Sequence, residues 1–95
     1  MRKYELMFIV RPDLEEKKIK DTAAAVEKVI KDQKATIINS REIGQKELAY
    51  PILKHTKGYY FLFQFEIEVE SVKEVDRLVR LNEDIIRYMI INIEE

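Results

Sequence analysis

Few residues in this 95-residue chain have the type and spacing to do covalent chemistry. There is one histidine, His55, and it falls in a predicted turn, where a lone imidazole reads as a surface group. A zinc site needs several Cys or His ligands, and the chain has no cysteine. The only glycines, Gly44 and Gly58, do not make a phosphate-cradling loop. Ser40 and Ser71 stand in no nucleophile motif. Carboxylates abound, but Glu16 with Lys20, Glu27 with Lys31 and Asp76 with Arg80 are i,i+4 pairs on predicted helices, the pattern of a solvated face. No catalytic residue, metal ligand or cofactor site emerges. The reading is a binding module rather than an enzyme.

The residues suited to recognition are of two kinds. Arg2, Lys3, Lys46, Lys54, Lys57 and Arg87 are basic, and they lie near the aromatics Tyr4, Tyr50, Tyr59 and Tyr60, which could stack on bases. A second set is apolar and depends on how the strands are built. Net charge constrains both. With 37% charged residues but a formal net charge of −1, the chain is no simple polycation. A local patch, not the total, would have to meet nucleic acid.

The elements that position these residues follow from periodicity. Residues 4–10, YELMFIV, read as a strand that Pro12 ends. Residues 13–33 read as a helix, with Asp13 as its cap and Ile19, Ala23, Val26, Val29 and Ile30 on one apolar face. Residues 35–53 read as a second strand, kinked at Gly44 and carrying Pro51 within LAYPI. Proline has no N–H for a ladder, so it marks an edge strand or a bulge. KHTKG, residues 54–58, reads as a turn with Gly58 as its permissive position. Residues 59–69 form the longest strand signal. A second helix starts at Ser71, with SVKE as a capping box and Val72, Val75, Leu78 and Val79 as its apolar face. Residues 85–93, IIRYMIINI, read as the last strand, and Glu94–Glu95 as a short acidic end.

The order is βαββαβ. Right-handed crossovers turn that order into a ferredoxin-like sandwich, an α+β fold in which two helices cover one face of a four-stranded antiparallel sheet. Residues 1–95 are expected to form a single domain of this kind. Strands one and three would be central, two and four the edges, so Pro51 falls on an edge. Alternation then sorts the side chains. Tyr4, Leu6, Phe8, Val10, Phe61, Phe63, Phe65 and Ile67 point to the helices. Met7, Ile9, Tyr60, Leu62, Met89 and Ile91 point to the open face. Six apolar residues on three adjacent strands predict a partner surface there, with Tyr50 added from the hairpin. No apolar run approaches the roughly 18 residues of a membrane span, and the N-terminus lacks a cleavage-site pattern. The expectation is a soluble, intracellular protein with no membrane role.

Three stretches in order, YELMFIVRPDL, IGQKELAYPILKHTKGYYFLFQFE and LNEDIIRYMIIN, closely resemble the bacterial family of ribosomal protein six of the small subunit. LAYPI followed by a glycine and a tyrosine-led strand is the most specific part, and the resemblance covers nearly the whole chain. It implies a cytoplasmic, non-catalytic ribosomal component that binds the central domain of small-subunit ribosomal RNA as a heterodimer with ribosomal protein eighteen, and helps assemble the platform. Arg2, Tyr4, Lys46 and Arg87 match the family's pattern, while Glu47 stands where the family has a second base. On this view Arg2, Lys3, Tyr4, Lys46, Lys54, Lys57 and Arg87 would serve RNA, and Met7, Ile9, Tyr50, Tyr60, Leu62, Met89 and Ile91 the protein partner. The alternative from the residues alone is a self-associating or small-ligand regulatory module of the same fold. A small enzyme on that fold would need a phosphate cradle, which the sequence does not provide.

Overall fold

A computed structural model describes residues 1–93. The elements run β1 (Arg2–Val10), α1 (Glu16–Asp32), β2 (Thr36–Ile52), β3 (His55–Ile67), α2 (Val69–Arg80) and β4 (Ile85–Asn92). The strands form one antiparallel sheet in the order β2-β3-β1-β4. This is the expected ferredoxin-like arrangement, with β2 and β4 on the edges.

Periodicity made the core. Ile19, Val26 and Ile30 of α1 and Val75 and Val79 of α2 are buried against Leu6, Phe8, Val10, Phe61, Phe63, Phe65 and Ile67. The phenyl rings interlock across strands, with Phe8 5.3 Å from Phe61 and 5.8 Å from Phe63 between centroids. Burying one such side chain is worth about 1.5–3 kcal/mol. Thr22 is the one buried polar side chain among the described residues, and its hydroxyl donates to the Lys18 carbonyl at 2.9 Å. On the α2–β4 side, the Tyr88 hydroxyl donates to the Asp76 carboxylate at 2.7 Å and accepts from Arg80 Nε at 3.2 Å.

Both helix caps differ from expectation. Asp13 does not cap α1, which begins after Glu15 with no side-chain cap. Its carboxylate is taken by Arg11, whose Nε and Nη2 donate at 2.8 and 2.9 Å in a fork. Those hydrogen bonds hold the Asp13 carboxyl below its ordinary range. Ser71 lies inside α2 rather than before it, because the extended backbone ends at Glu68 and the first turn forms there. The expected partner of Ser71, Glu74, accepts instead from Arg77.

The β2–β3 hairpin departs most from a regular ladder. Its loop is the pair Leu53–Lys54, both at positive φ (48° and 68°), between the paired residues Ile52 and His55. This is the handedness of the favoured two-residue hairpin turn. Gly58 is therefore not the turn residue: it pairs with Lys46 well inside β3. It is glycine for want of room, since a Cβ there would stand 2.2 Å from Ile9 Cγ2. Gly44 does supply the expected kink, at φ 103° beside a register shift. Beyond Glu47↔Lys57 the next pair is Ile52↔His55, so Leu48, Ala49, Tyr50 and Pro51 face Thr56 alone. Pro51 sits inside this wide bulge on an edge strand, where its missing N–H breaks no ladder.

Candidate partner and nucleic-acid interface

Residues directly opposite in antiparallel strands share a face, so the register writes out the uncovered side of the sheet as rows. One row is Arg41–Leu62–Met7–Met89. Beside it runs Asn39–Gln64–Glu5–Ile91, in which Gln64 Nε2 donates to Glu5 at 3.0 Å. On the other side runs Gly44–Tyr60–Ile9–Arg87. The apolar residues of the three rows are contiguous, and Met89 and Ile91 are 51% and 41% exposed. Met7, Tyr60 and Leu62 are half-buried.

The bulge gives this face a roof. Where Leu48–Pro51 leave the ladder, the arm of β2 bends over the sheet and carries Tyr50 from one edge strand to the other. There Arg87 of β4 donates to the Tyr50 hydroxyl oxygen, with its guanidinium carbon 5.5 Å from the ring centroid. Arm and sheet enclose a groove of about 220 Å³ whose walls include Met7, Leu48, Tyr50, Tyr60, Arg87 and Met89. Ile9 requires a correction. It points to the open face, but only 6% of it is exposed, because it lies in the floor of this groove under Gly58 and Leu48. It can shape a partner surface only from beneath.

The basic candidates do not converge. Arg2 and Lys3 pair with Ile67 and Glu66 at one end of the sheet, whereas Lys54 forms the hairpin loop at the other. The molecule is 37 Å along its longest axis, and a thirteen-residue strand such as β3 spans roughly 40 Å. Lys46 and Lys57 pair with Gly58 and Glu47, adjacent positions that place the two lysines on opposite faces of the hairpin. Tyr4 lies on the helix-covered side, half-buried and stacked on Phe65 at 6.5 Å. Tyr59 stacks on Phe61 at 6.2 Å on that same side. Tyr50 and Tyr60 are the aromatics of the open face. Sequence reasoning passed over Arg41 and Leu48. Both come into play through the register: Arg41 flanks the apolar row and Leu48 rides on the bulge.

His55 is half-buried at the hairpin loop and adds, as the smallest cause, to the lowering of the Asp13 carboxyl. Among the described residues no three His, Cys, Asp or Glu side chains cluster to hold a metal ion, and no helix is long and apolar enough to cross a membrane.

The sequence pattern of the family described as "Ribosomal protein S6" matches residues 3–92. The chain is 43% identical over 91 residues to small ribosomal subunit protein bS6 of Phytoplasma australiense, covering 96% of this chain and 98% of that protein. It is 40% identical over 94 residues to the protein of that name from Helicobacter pylori strain G27, of which it spans 66%. The crystal structure of 30S ribosomal protein S6 from Thermotoga maritima superposes with a TM-score of 0.92 at 28% identity, over 96% of this chain and 86% of that one. The C-terminal domain of the MgtC protein from Mycobacterium tuberculosis has the same fold alone, with a TM-score of 0.63 at 10% identity.

Proposed function

The chain belongs to the ribosomal protein S6 family, and on that premise we propose that it binds the central domain of small-subunit ribosomal RNA together with ribosomal protein eighteen and helps assemble the platform. As a member of that family it is a structural constituent of the small ribosomal subunit, cytoplasmic, and not an enzyme. The observation that carries the proposal is the apolar row Leu62–Met7–Met89 on the uncovered face, half-buried at Leu62 and Met7 and exposed at Met89, continued by the exposed Ile91 on the neighbouring row. An apolar patch of that kind on an otherwise charged surface is the mark of a protein interface. Covering it takes a partner, and a formal net charge of −1 leaves most of the phosphate neutralisation to that partner. Arg2, Lys3, Lys46, Lys54 and Lys57 add a few phosphate contacts of their own.

The test is binding of the chain to a central-domain RNA fragment across a salt series, with and without ribosomal protein eighteen. Tight RNA binding is expected only with the partner and should weaken as salt rises. Replacing Met7, Leu62 and Met89 together by serine should weaken association with protein eighteen at least tenfold, and RNA retention with it. Unchanged association in that variant would overturn the assignment of the face. A stable homodimer that binds neither partner would overturn the proposal itself.

A further inference from the structure

The groove under the hairpin arm has a composition of its own. Its floor and walls, Met7, Ile9, Leu48, Tyr60 and Met89, are apolar, and its one charged group is Arg87. Its volume of about 220 Å³ is below the roughly 300–1,000 Å³ of small-molecule sites. It is ample for one ring or branched side chain, since a cavity of about 150 Å³ holds benzene. Arg87 carries five N–H donors. One goes to Tyr50, and among the described residues Arg87 makes no ion pair. The arginines of α2 differ: Arg77 and Arg80 are both held by acids on their own helix. A guanidinium in an apolar groove with its remaining donors open complements a carboxylate.

We propose that this groove is an anchor pocket for a protein segment that presents one large apolar side chain next to an acidic residue. The apolar side chain enters between Tyr60, Leu48 and Met89, and the carboxylate meets Arg87. The inference rests on the reading of the open face as a protein interface, and it moves Arg87 from the RNA-facing set to the protein-facing set. A large side chain seated in a water-excluding pocket is how interfaces concentrate their affinity. Leu62 and Ile91 lie outside the groove's lining, so face and groove can be probed separately.

The test uses the whole chain and ribosomal protein eighteen, with affinity read by calorimetry at low and high salt. Ala49→Trp places an indole at the exposed lip of the groove, and Arg87→Gln removes the charge; thermal unfolding verifies that each variant is folded. Both are expected to weaken association about tenfold or more. The Arg87→Gln loss should shrink at high salt, and Arg87→Lys should recover part of it. If the wild type binds and Leu62→Ser weakens binding while Ala49→Trp and Arg87→Gln do not, the pocket inference falls and the face reading stands. If the wild type fails to bind, the face reading itself falls, and the pocket with it. If Arg87→Gln lowers the RNA affinity of the preformed complex but leaves association with protein eighteen unchanged, the groove belongs to a nucleotide and the inference is overturned.

Discussion

At the scale of single residues, Gly58 and Ile9 act as one unit. The Cβ of an alanine at residue 58 would meet Ile9 Cγ2 at 2.2 Å, and Ile9 is itself buried. Neither side can yield without opening the groove floor. Gly58→Ala is therefore expected to destabilise the protein by about 1–3 kcal/mol, the usual cost of overpacking, seen as a lower urea midpoint with an unchanged slope. An unchanged midpoint would mean that Ile9 repacks freely. The pair also shows what alternation can and cannot tell. Period two assigned Ile9 to the correct face, yet parity carries no information about what folds over that face. Gly58 reads as a rotational freedom in the sequence because a glycine looks the same whether it is needed for torsion or for room. Asp13 is ambiguous for a similar reason: a cap residue and an ion-pair residue have one and the same side chain, and Arg11 two positions earlier decides between them.

At the scale of elements, the two helices and four strands were legible because their apolar spacings are clean, at 3.6 in α1 and α2 and at 2 in β1 and β3. Pro51 was informative too, since a residue without an N–H has few places in a sheet. The hairpin loop was hidden. Leu53 and Lys54 have no turn chemistry, so the sequence points to a turn centred further along, toward Gly58. Their positive φ values of 48° and 68° are strained for residues with side chains. Lys54→Gly should relieve that strain and raise stability by about 0.5–1 kcal/mol, measured as a higher urea midpoint. A fall would show that the lysine side chain contributes more to the loop than its backbone costs. The second capping signal, SVKE, failed because the chain turns helical at Val69, the last residue of the expected strand and two positions before Ser71.

At the scale of the whole molecule, element order and crossover handedness were enough to give the sheet order, which is why β2-β3-β1-β4 could be read in advance. The dispersal of the basic residues could not. Arg2 and Lys54 are close to several aromatics in sequence, but the long β3 strand separates them toward opposite ends of a 37 Å body. Any RNA contacts they make are independent. Arg2→Ala and Lys54→Ala should each lower the salt slope of RNA binding by the partner complex by about 0.7–0.9. Their effects on affinity should add to within about 0.5 kcal/mol. A strong coupling would mean that one compact RNA element reaches both ends.

β1 takes β3 on one side and β4 on the other, and the Ile93 amide donates to the Lys3 carbonyl at 3.0 Å, so β1 and β4 lie side by side although α1, β2, β3 and α2 all separate them in sequence. That closure sets a schedule for synthesis. While the polypeptide is being made, the central strand has no neighbour on its outer side until residues 85–92 have been added. Leu6 and Phe8 stay open on that flank, and α2 has no Tyr88 to hold. Each new copy can complete its sheet only once β4 has been made, on the kind of machine it is made to join.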